Sequence, residues 1–171
     1  NPSEYTKILI APRREDKRTS MASVFVNMAI TLDGKIAGAF GERVSLGSEA
    51  DRREMDRLRA RADVILWGGE TLRKARCPAL VRDPALIAAR EEEGRPPQPA
   101  NAVLTSSGRL PGSMSWFGPG ARARLILTHE GAAGEAEAAA SGRAEVAVIG
   151  KEEVSAAGVV DYLAGRGFDR I

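Results

Sequence analysis

In DVILWGGETL an apolar run ends on Gly68 and Gly69 and passes into Glu70 and Thr71. In an open parallel sheet such a strand-to-helix turn lies at the carboxyl edge, where ligands bind, and glycines let backbone amides approach a phosphate. The stretch is not G-x-G-x-x-G and lacks the lysine of a phosphate loop, so as a pattern it favours structural turn glycines over ligand contact. Arg59 and Arg82 are the second candidates, because a planar guanidinium matches phosphate oxygens in a bidentate way. Arginines on helices more often lie in water with their stems packed down, and each of these alone favours that reading. A third feature is VFVNMAITLDGK, a core-strand pattern that carries an amide at Asn27 and thins to Ala29. Asn27 is either a buried amide satisfied by backbone or a fixed hydrogen-bonding group for a ligand.

The acid-base inventory is thin. His129 is the single histidine, and its place after RLILT reads as a loop or helix cap rather than a catalyst. No second histidine, cysteine pair or cluster of carboxylates proposes a metal. Ser106 and Ser107 have no visible base, which leaves a Ser-His-Asp hydrolase unsupported. Asp33 in TLDGK is a turn aspartate, with Gly34 in the positive-φ position. Trp116 and Phe117, in a Gly/Pro-rich connector, read as a loop anchored on the core. The inventory suits a reaction that depends on positioning more than on a strong general base.

The elements that must hold these residues read as repeated βα units. The short apolar runs 24–30, 63–67, 101–105, 124–128 and 145–149 are predicted as strands buried on both faces, the habit of a parallel sheet. Ser48 with Asp51 starts a helix that puts Met55, Leu58 and Ala62 on one face, with Arg59 at its border. Asp83 and Pro84 start another, closed by Gly94. Residues 130–141 and 152–167 supply two more, the second turning Val154, Val159 and Leu163 inward. The fold class is α/β, with a three-layer αβα architecture and a mostly parallel central sheet. The 171 residues, 43% hydrophobic and 28% charged, suit one domain over 22–171 after a charged lead-in at 1–21. Asp169, Arg170 and Ile171 read as the opening of one more strand. A net charge of +2 without a basic stripe argues against nucleic acid as a partner. The lone Cys77 and the absence of an apolar run of ~20 residues point to the cytoplasm and away from a membrane.

Four segments in order, VNMAITLDGK, SEADRREMDRLRARADVILWGGETL, PALVR and NAVLTSSGRLP, resemble the pyrimidine reductase of riboflavin biosynthesis, the domain fused to a deaminase in many bacteria and standing alone in archaea and fungi. VVDYLAGRGFDRI is similar to the family's helix before its last core strands. No H-x-E or P-C-x-x-C zinc signature accompanies them, so the chain resembles the stand-alone form. The resemblance implies a dihydrofolate-reductase-like fold and NADPH-dependent reduction of a ribosylamino-pyrimidine 5′-phosphate at the sugar C1′, in a homodimer. Carried over by position, Ala29, Ser45, Thr71 and Ser106 would contact the dinucleotide, with Gly68 and Gly69 in the turn beside it. Asn27, Arg59, Leu80 and Arg82 would hold the substrate. Asp33 belongs to the family's LDG turn, a mainly architectural place from which it could assist proton traffic.

The chain also departs from that pattern. RKARCP, residues 73–78, replaces an acidic stretch common in the family, and the glutamate and glycine pair that would follow Ile171 is absent from the sequence. The domain is therefore expected to lack its C-terminal strands. Two alternatives stay open: a reductase of the same fold acting on another pterin or pyrimidine, and a non-catalytic nucleotide-binding or dimerisation module.

Overall fold

Apolar runs without alternation need cover on both faces, and four of the five predicted strands have it in the computed structural model, which describes residues 22–30, 33–35 and 48–171. β1 (Val64–Gly68), β2 (Ala100–Leu104), β3 (Arg124–His129) and β4 (Glu145–Gly150) form a parallel sheet in the order β1-β2-β3-β4. Between them run α2 (Gly69–Ala75) and α3 (Pro84–Glu92) before β2, and α4 (Ala133–Ala140) before β4, with α1 (Glu49–Arg61) ahead of β1 and α5 (Ala156–Gly165) after β4. Val103, Ile126 and Val146 face Leu72 of α2, Ala136 and Ala140 of α4, and Trp116. Ala102, Leu125, Leu127 and Ala147 face Val159 and Leu163 of α5. Strand side chains thus alternate between two helical layers, the αβα arrangement that buried parallel strands require.

The predicted caps form. Ser48 Oγ accepts from the Asp51 amide at 3.2 Å and Asp83 Oδ1 from the Ala85 amide at 2.9 Å, each satisfying an N–H with no intrahelical partner. Gly94 closes α3 with φ +71°. The carboxyl end of α1 is held from outside. Buried Arg90 of α3 donates from Nη1 to the carbonyls of Ala60 at 2.6 Å and Ala62 at 2.8 Å, and from Nε to Pro96 O at 2.8 Å. Arg95 adds bonds to Ala60, Arg61 and Ala62 and an ion pair with Asp63. Two guanidiniums therefore sit at the negative pole of α1, on the carbonyls that the helix leaves free. Burial lowers the Arg90 pKa, and neighbouring Arg95 adds to that shift.

The fifth predicted strand, 24–30, is corrected by the structure. Val24, Val26, Met28 and Ile30 are exposed, at 53%, 81%, 60% and 61%, and Ser23 alone makes a strand bridge, parallel to Arg170. The reason lies in the neighbouring backbone. The Ser23 and Phe25 amides donate to Asp169 O at 2.8 Å and Ile171 O at 3.0 Å, the Ile171 amide returns a bond to Ser23 O, and the Asp63 amide donates to Arg170 O on the other side. Residues 169–171 thus lie between the first segment and β1, as the expected strand opening. Past Phe25 no such neighbour is present among the described residues, and the apolar side chains of 26–30 stay in water. The charged lead-in 1–21 lies outside the described residues.

α5 is pinned to β4 by charge. Arg166 Nη2 donates to Glu145 Oε2 at 2.9 Å, Nη1 donates to Oε1, and the Tyr162 hydroxyl donates to Oε1 at 3.3 Å. The hydrogen bond from Arg166 holds the Glu145 carboxyl below the usual carboxylate range, while burial beside Glu145 raises the Tyr162 phenol. A carboxyl with a depressed folded-state pKa contributes stability above its unfolded value, and that contribution is lost as pH falls through the folded one. Glu145→Gln should therefore lower the melting temperature at pH 7 and lower it by less at ~pH 2, toward which protonation of the wild-type carboxyl removes the same charge. An equal loss at both pH values would mean that the contact acts by shape and not by charge.

Candidate active-site cavity

The segment that follows α2 has no helix or strand of its own, yet two side-chain amides fix its backbone. Asn101, fully buried on β2, accepts from the Ala79 amide at 2.8 Å and donates to Ala79 O at 3.0 Å, and its Oδ1 also receives the Trp67 indole N–H at 3.3 Å. Gln98 repeats the arrangement two residues on, accepting from the Val81 amide at 2.8 Å and donating to Val81 O at 2.9 Å. Each side-chain amide stands in for a strand neighbour and satisfies a backbone pair that burial would otherwise leave unmade. Ala79 and Val81 are buried as a result, and the alternate residues Leu80 and Arg82 turn the other way.

That orientation brings three predicted residues together. Arg59 Nη1 donates to Leu80 O at 3.2 Å and lies 3.4 Å from Asp56 Oδ1, while Asp56 Oδ2 accepts the Arg82 amide at 3.2 Å. Desolvation lowers the Arg59 pKa; Asp56 opposes the shift, and the nearby positive charge of Arg82 adds to it. The Arg59 guanidinium thus has one carboxylate beside it and a second positive charge nearby at Arg82, an excess of positive charge that an anionic ligand restores to balance. Arg59 lines a cavity of about 370 Å³, together with Asn27, Met55, Trp67, Thr71 and Ile171. Its walls are mainly apolar, with a few polar groups among them, as in small-molecule sites. Asn27 is exposed, and its Nδ2 lies 3.8 Å from Met55 Sδ. The first side of the Asn27 alternative is not realised: the amide is neither buried nor satisfied by backbone.

The adjacent edge holds the residues expected to meet a dinucleotide. A Cβ on Gly69 would lie 3.1 Å from Thr105, so this glycine lets α2 settle on the end of β2. Thr71 and Ser106 are exposed beside that contact, at the carboxyl ends of neighbouring strands. Thr128 Oγ1 donates to Thr105 O at 2.7 Å, and His129 Nε2 lies 2.8 Å from Ser106 O. His129 therefore braces the turn after β2 from a capping position. Free hydroxyls on a braced edge fit the ribose and phosphate oxygens of a nucleotide. Ala29 is exposed on the first segment; Asp33 sits in its turn paired with Lys35, with Gly34 at φ +79°. Ser45 lies outside the described residues. Among the described residues no three His, Cys, Asp or Glu side chains gather as a metal site, and no helix is long and apolar enough to cross a membrane.

The framework residues Asn101, Gln98 and Asp56 were missed by the sequence reading. The signal for Asn101 was present, since NAVLT places an amide in an otherwise apolar run.

A family model described as the RibD C-terminal domain matches residues 22–171. A 2,5-diamino-6-ribosylamino-4(3H)-pyrimidinone 5′-phosphate reductase of Archaeoglobus fulgidus is 36% identical over 88 residues, 52% of this chain and 40% of that protein. The riboflavin biosynthesis protein RibD of Mycobacterium tuberculosis is 32% identical over 127 residues, 72% of this chain and 35% of that one. The aligned part is thus well under half the length of either relative. Among solved structures, a pyrimidine reductase-like protein from Corynebacterium diphtheriae superimposes with a TM-score of 0.74 at 22% identity, covering 90% of this chain and 65% of its own. A deaminase/reductase from Thermotoga maritima gives 0.68 at 23% identity, covering 89% and 38%. The expected dihydrofolate-reductase-like fold is shared with these neighbours.

Asn101→Leu keeps the volume and removes the amide, leaving the Ala79 N–H and C=O buried without partners. It should destabilise the protein by ~2 to 4 kcal/mol in urea unfolding. Gln98→Ala, at a half-buried position, should cost less, ~1 kcal/mol. A smaller loss at Asn101 than at Gln98 would show that the segment is held by other means.

Proposed function

The chain belongs to the RibD C-terminal domain family, and from that membership we propose that it is an NADPH-dependent reductase of riboflavin biosynthesis, converting a ribosylamino-pyrimidine 5′-phosphate to its ribitylamino counterpart. When bound, the dinucleotide supplies the hydride for the sugar C1′. Arg59 and Arg82 take the substrate phosphate, Leu80 O holds the Arg59 fork in place, and Asn27 offers its amide to the pyrimidine from the cavity wall. Thr71 and Ser106, with Ala29 and Ser45, receive the dinucleotide above the Gly68–Gly69 turn. Hydride transfer gains from holding two carbons in contact, an advantage of ~10⁵ to 10⁸ M in effective molarity. No strong base is assigned; Asp33, paired with Lys35, keeps the turn and at most assists proton traffic. The work of the protein would be done in the cytoplasm, as a homodimer.

The observation that carries this reading is the Arg59 guanidinium, held by Leu80 O and Asp56 on the wall of the cavity that Asn27 and Thr71 also line. The basic stretch 73–78, with exposed Cys77, favours one second reading: a reductase of the same fold with another heteroaromatic substrate.

NADPH oxidation should proceed with the ribosylamino-pyrimidine phosphate and not with dihydrofolate; the reverse preference selects the second reading, and no turnover with either sinks both. Arg59→Ala should raise KM for the phosphorylated substrate at least ~10-fold, as loss of a charge-assisted bond implies, with little change in the Kd of NADPH. Unchanged KM would remove Arg59 from the substrate phosphate.

A further inference from the structure

A second basic pair lies beyond the cavity, on the far side of the turn after β2. Arg73 of α2 folds back toward the helix start, so that its Nη1 is 3.2 Å from where a Cβ on Gly69 would stand. The same nitrogen lies 3.4 Å from the Arg109 carbonyl, to which it donates. The 105–109 turn that carries Arg109 packs closely on α4. Gly108 has φ +66°, and a Cβ there would come within 2.5 Å of Ala132 O, so only glycine lets the turn press against the start of α4. Ser107 Oγ then accepts the Arg109 amide at 3.3 Å, a local side-chain turn that sets the direction of the Arg109 side chain.

Both guanidiniums border a groove of about 510 Å³ between α2 and α4. The other charges around it are accounted for. Arg143, at the opposite rim, donates to Gly112 O at 2.9 Å and stacks on Phe117 with 4.6 Å to the ring centre. Glu70 pairs with Lys74 at 2.9 Å, and Glu135 lies 3.9 Å from Arg109 Nε, a loose contact between exposed groups. Arg73 and Arg109 thus have donors to spare and one weakly engaged acid between them.

We propose that Arg73 and Arg109 bind the 2′-phosphate of the dinucleotide and so set its preference for NADPH over NADH. The inference rests on the reading of the chain as a dinucleotide-dependent reductase. A dinucleotide that reached from the cavity across Thr71 and Ser106 would meet this pair next, since Arg73 folds back to the Gly69 turn and donates to the Arg109 carbonyl. A phosphomonoester carries nearly two negative charges at neutral pH, and a pair of forked cations matches it where a ribose hydroxyl would leave them unanswered. Glu135 opposes the same phosphate and tunes the preference downward.

Titration calorimetry with NADPH, NADH and 2′,5′-ADP tests this, with circular dichroism confirming the fold of each variant. The wild type should bind NADPH at least ~20-fold more tightly than NADH, a ratio that shrinks with added salt. Arg73→Ala combined with Arg109→Ala should bring the two within about threefold by weakening NADPH and 2′,5′-ADP, with NADH moving by less than about threefold. Glu135→Gln, an exposed change that does not threaten folding, should tighten NADPH and leave NADH unaltered. An undiminished NADPH preference in the double variant, or NADH binding in the wild type as tight as NADPH, overturns the assignment and leaves the reductase reading standing. Failure of the wild type to bind either dinucleotide overturns both.

Discussion

The Asn101 amide inside the sheet, bonded to both backbone groups of Ala79, is the constraint from which the geometry of the cavity follows. A loop has no ladder to hold it, and burying one leaves polar backbone groups that must be answered. Here Asn101 and Gln98 answer them from the start of β2 and the connector before it. The consequence is directional: once Ala79 and Val81 face the core, the Leu80 carbonyl and the Arg82 amide are presented to α1. Arg59 then finds a carbonyl to donate to and an acid shared with Arg82. α1 is held to the same frame at its other end, where Arg90 and Arg95 take its last carbonyls.

Charge ties elements together in several places and stands in excess beside the cavity. Glu145 with Arg166 ties α5 to β4, and Asp63 meets both Arg95 and Arg170 at the end of α1. Beside the cavity Asp56 pairs with the Arg59 guanidinium and accepts the backbone amide of Arg82. The asymmetry matters because a guanidinium half withdrawn from water without a full complement of acceptors is costly, and an incoming oxyanion relieves that cost.

Much of the fold was legible because the relevant signals are local. Ser48 and Asp83 announce helix starts, Gly94 a helix end, and the unalternating runs of β1 to β4 a sheet covered on both faces. The first segment failed that reading for a reason that no local pattern contains: an apolar run becomes a core strand only where neighbours lie on both sides, and past Phe25 the described residues provide none. The site was legible in part. Arginines at 59 and 82 suggested a phosphate, but their convergence depends on Asn101 pairing with a residue 22 positions away, and pairings of that kind leave no spacing to recognise. At the turn glycines the pattern itself favoured a structural role. Gly69 was conspicuous as a candidate ligand contact, and the structure gives it a packing reason at Thr105.

The sheet joins strands in the order in which they are made, whereas Ser23 bridges to Arg170 across most of the chain. Folding rates and local stability follow such differences in sequence separation: neighbouring βα units close cheaply, and a contact between distant segments is formed after the entropy of a long loop has been lost. The wall of the cavity that carries Asn27 depends on such a distant contact, held by a handful of backbone bonds and little buried apolar area. Sub-global opening there would undo the cavity while β1 to β4 stay folded. Ligand affinity would then be coupled to the closing of one distant contact, and amide exchange at Ser23 and Phe25 would report on it more directly than the stability of the whole domain.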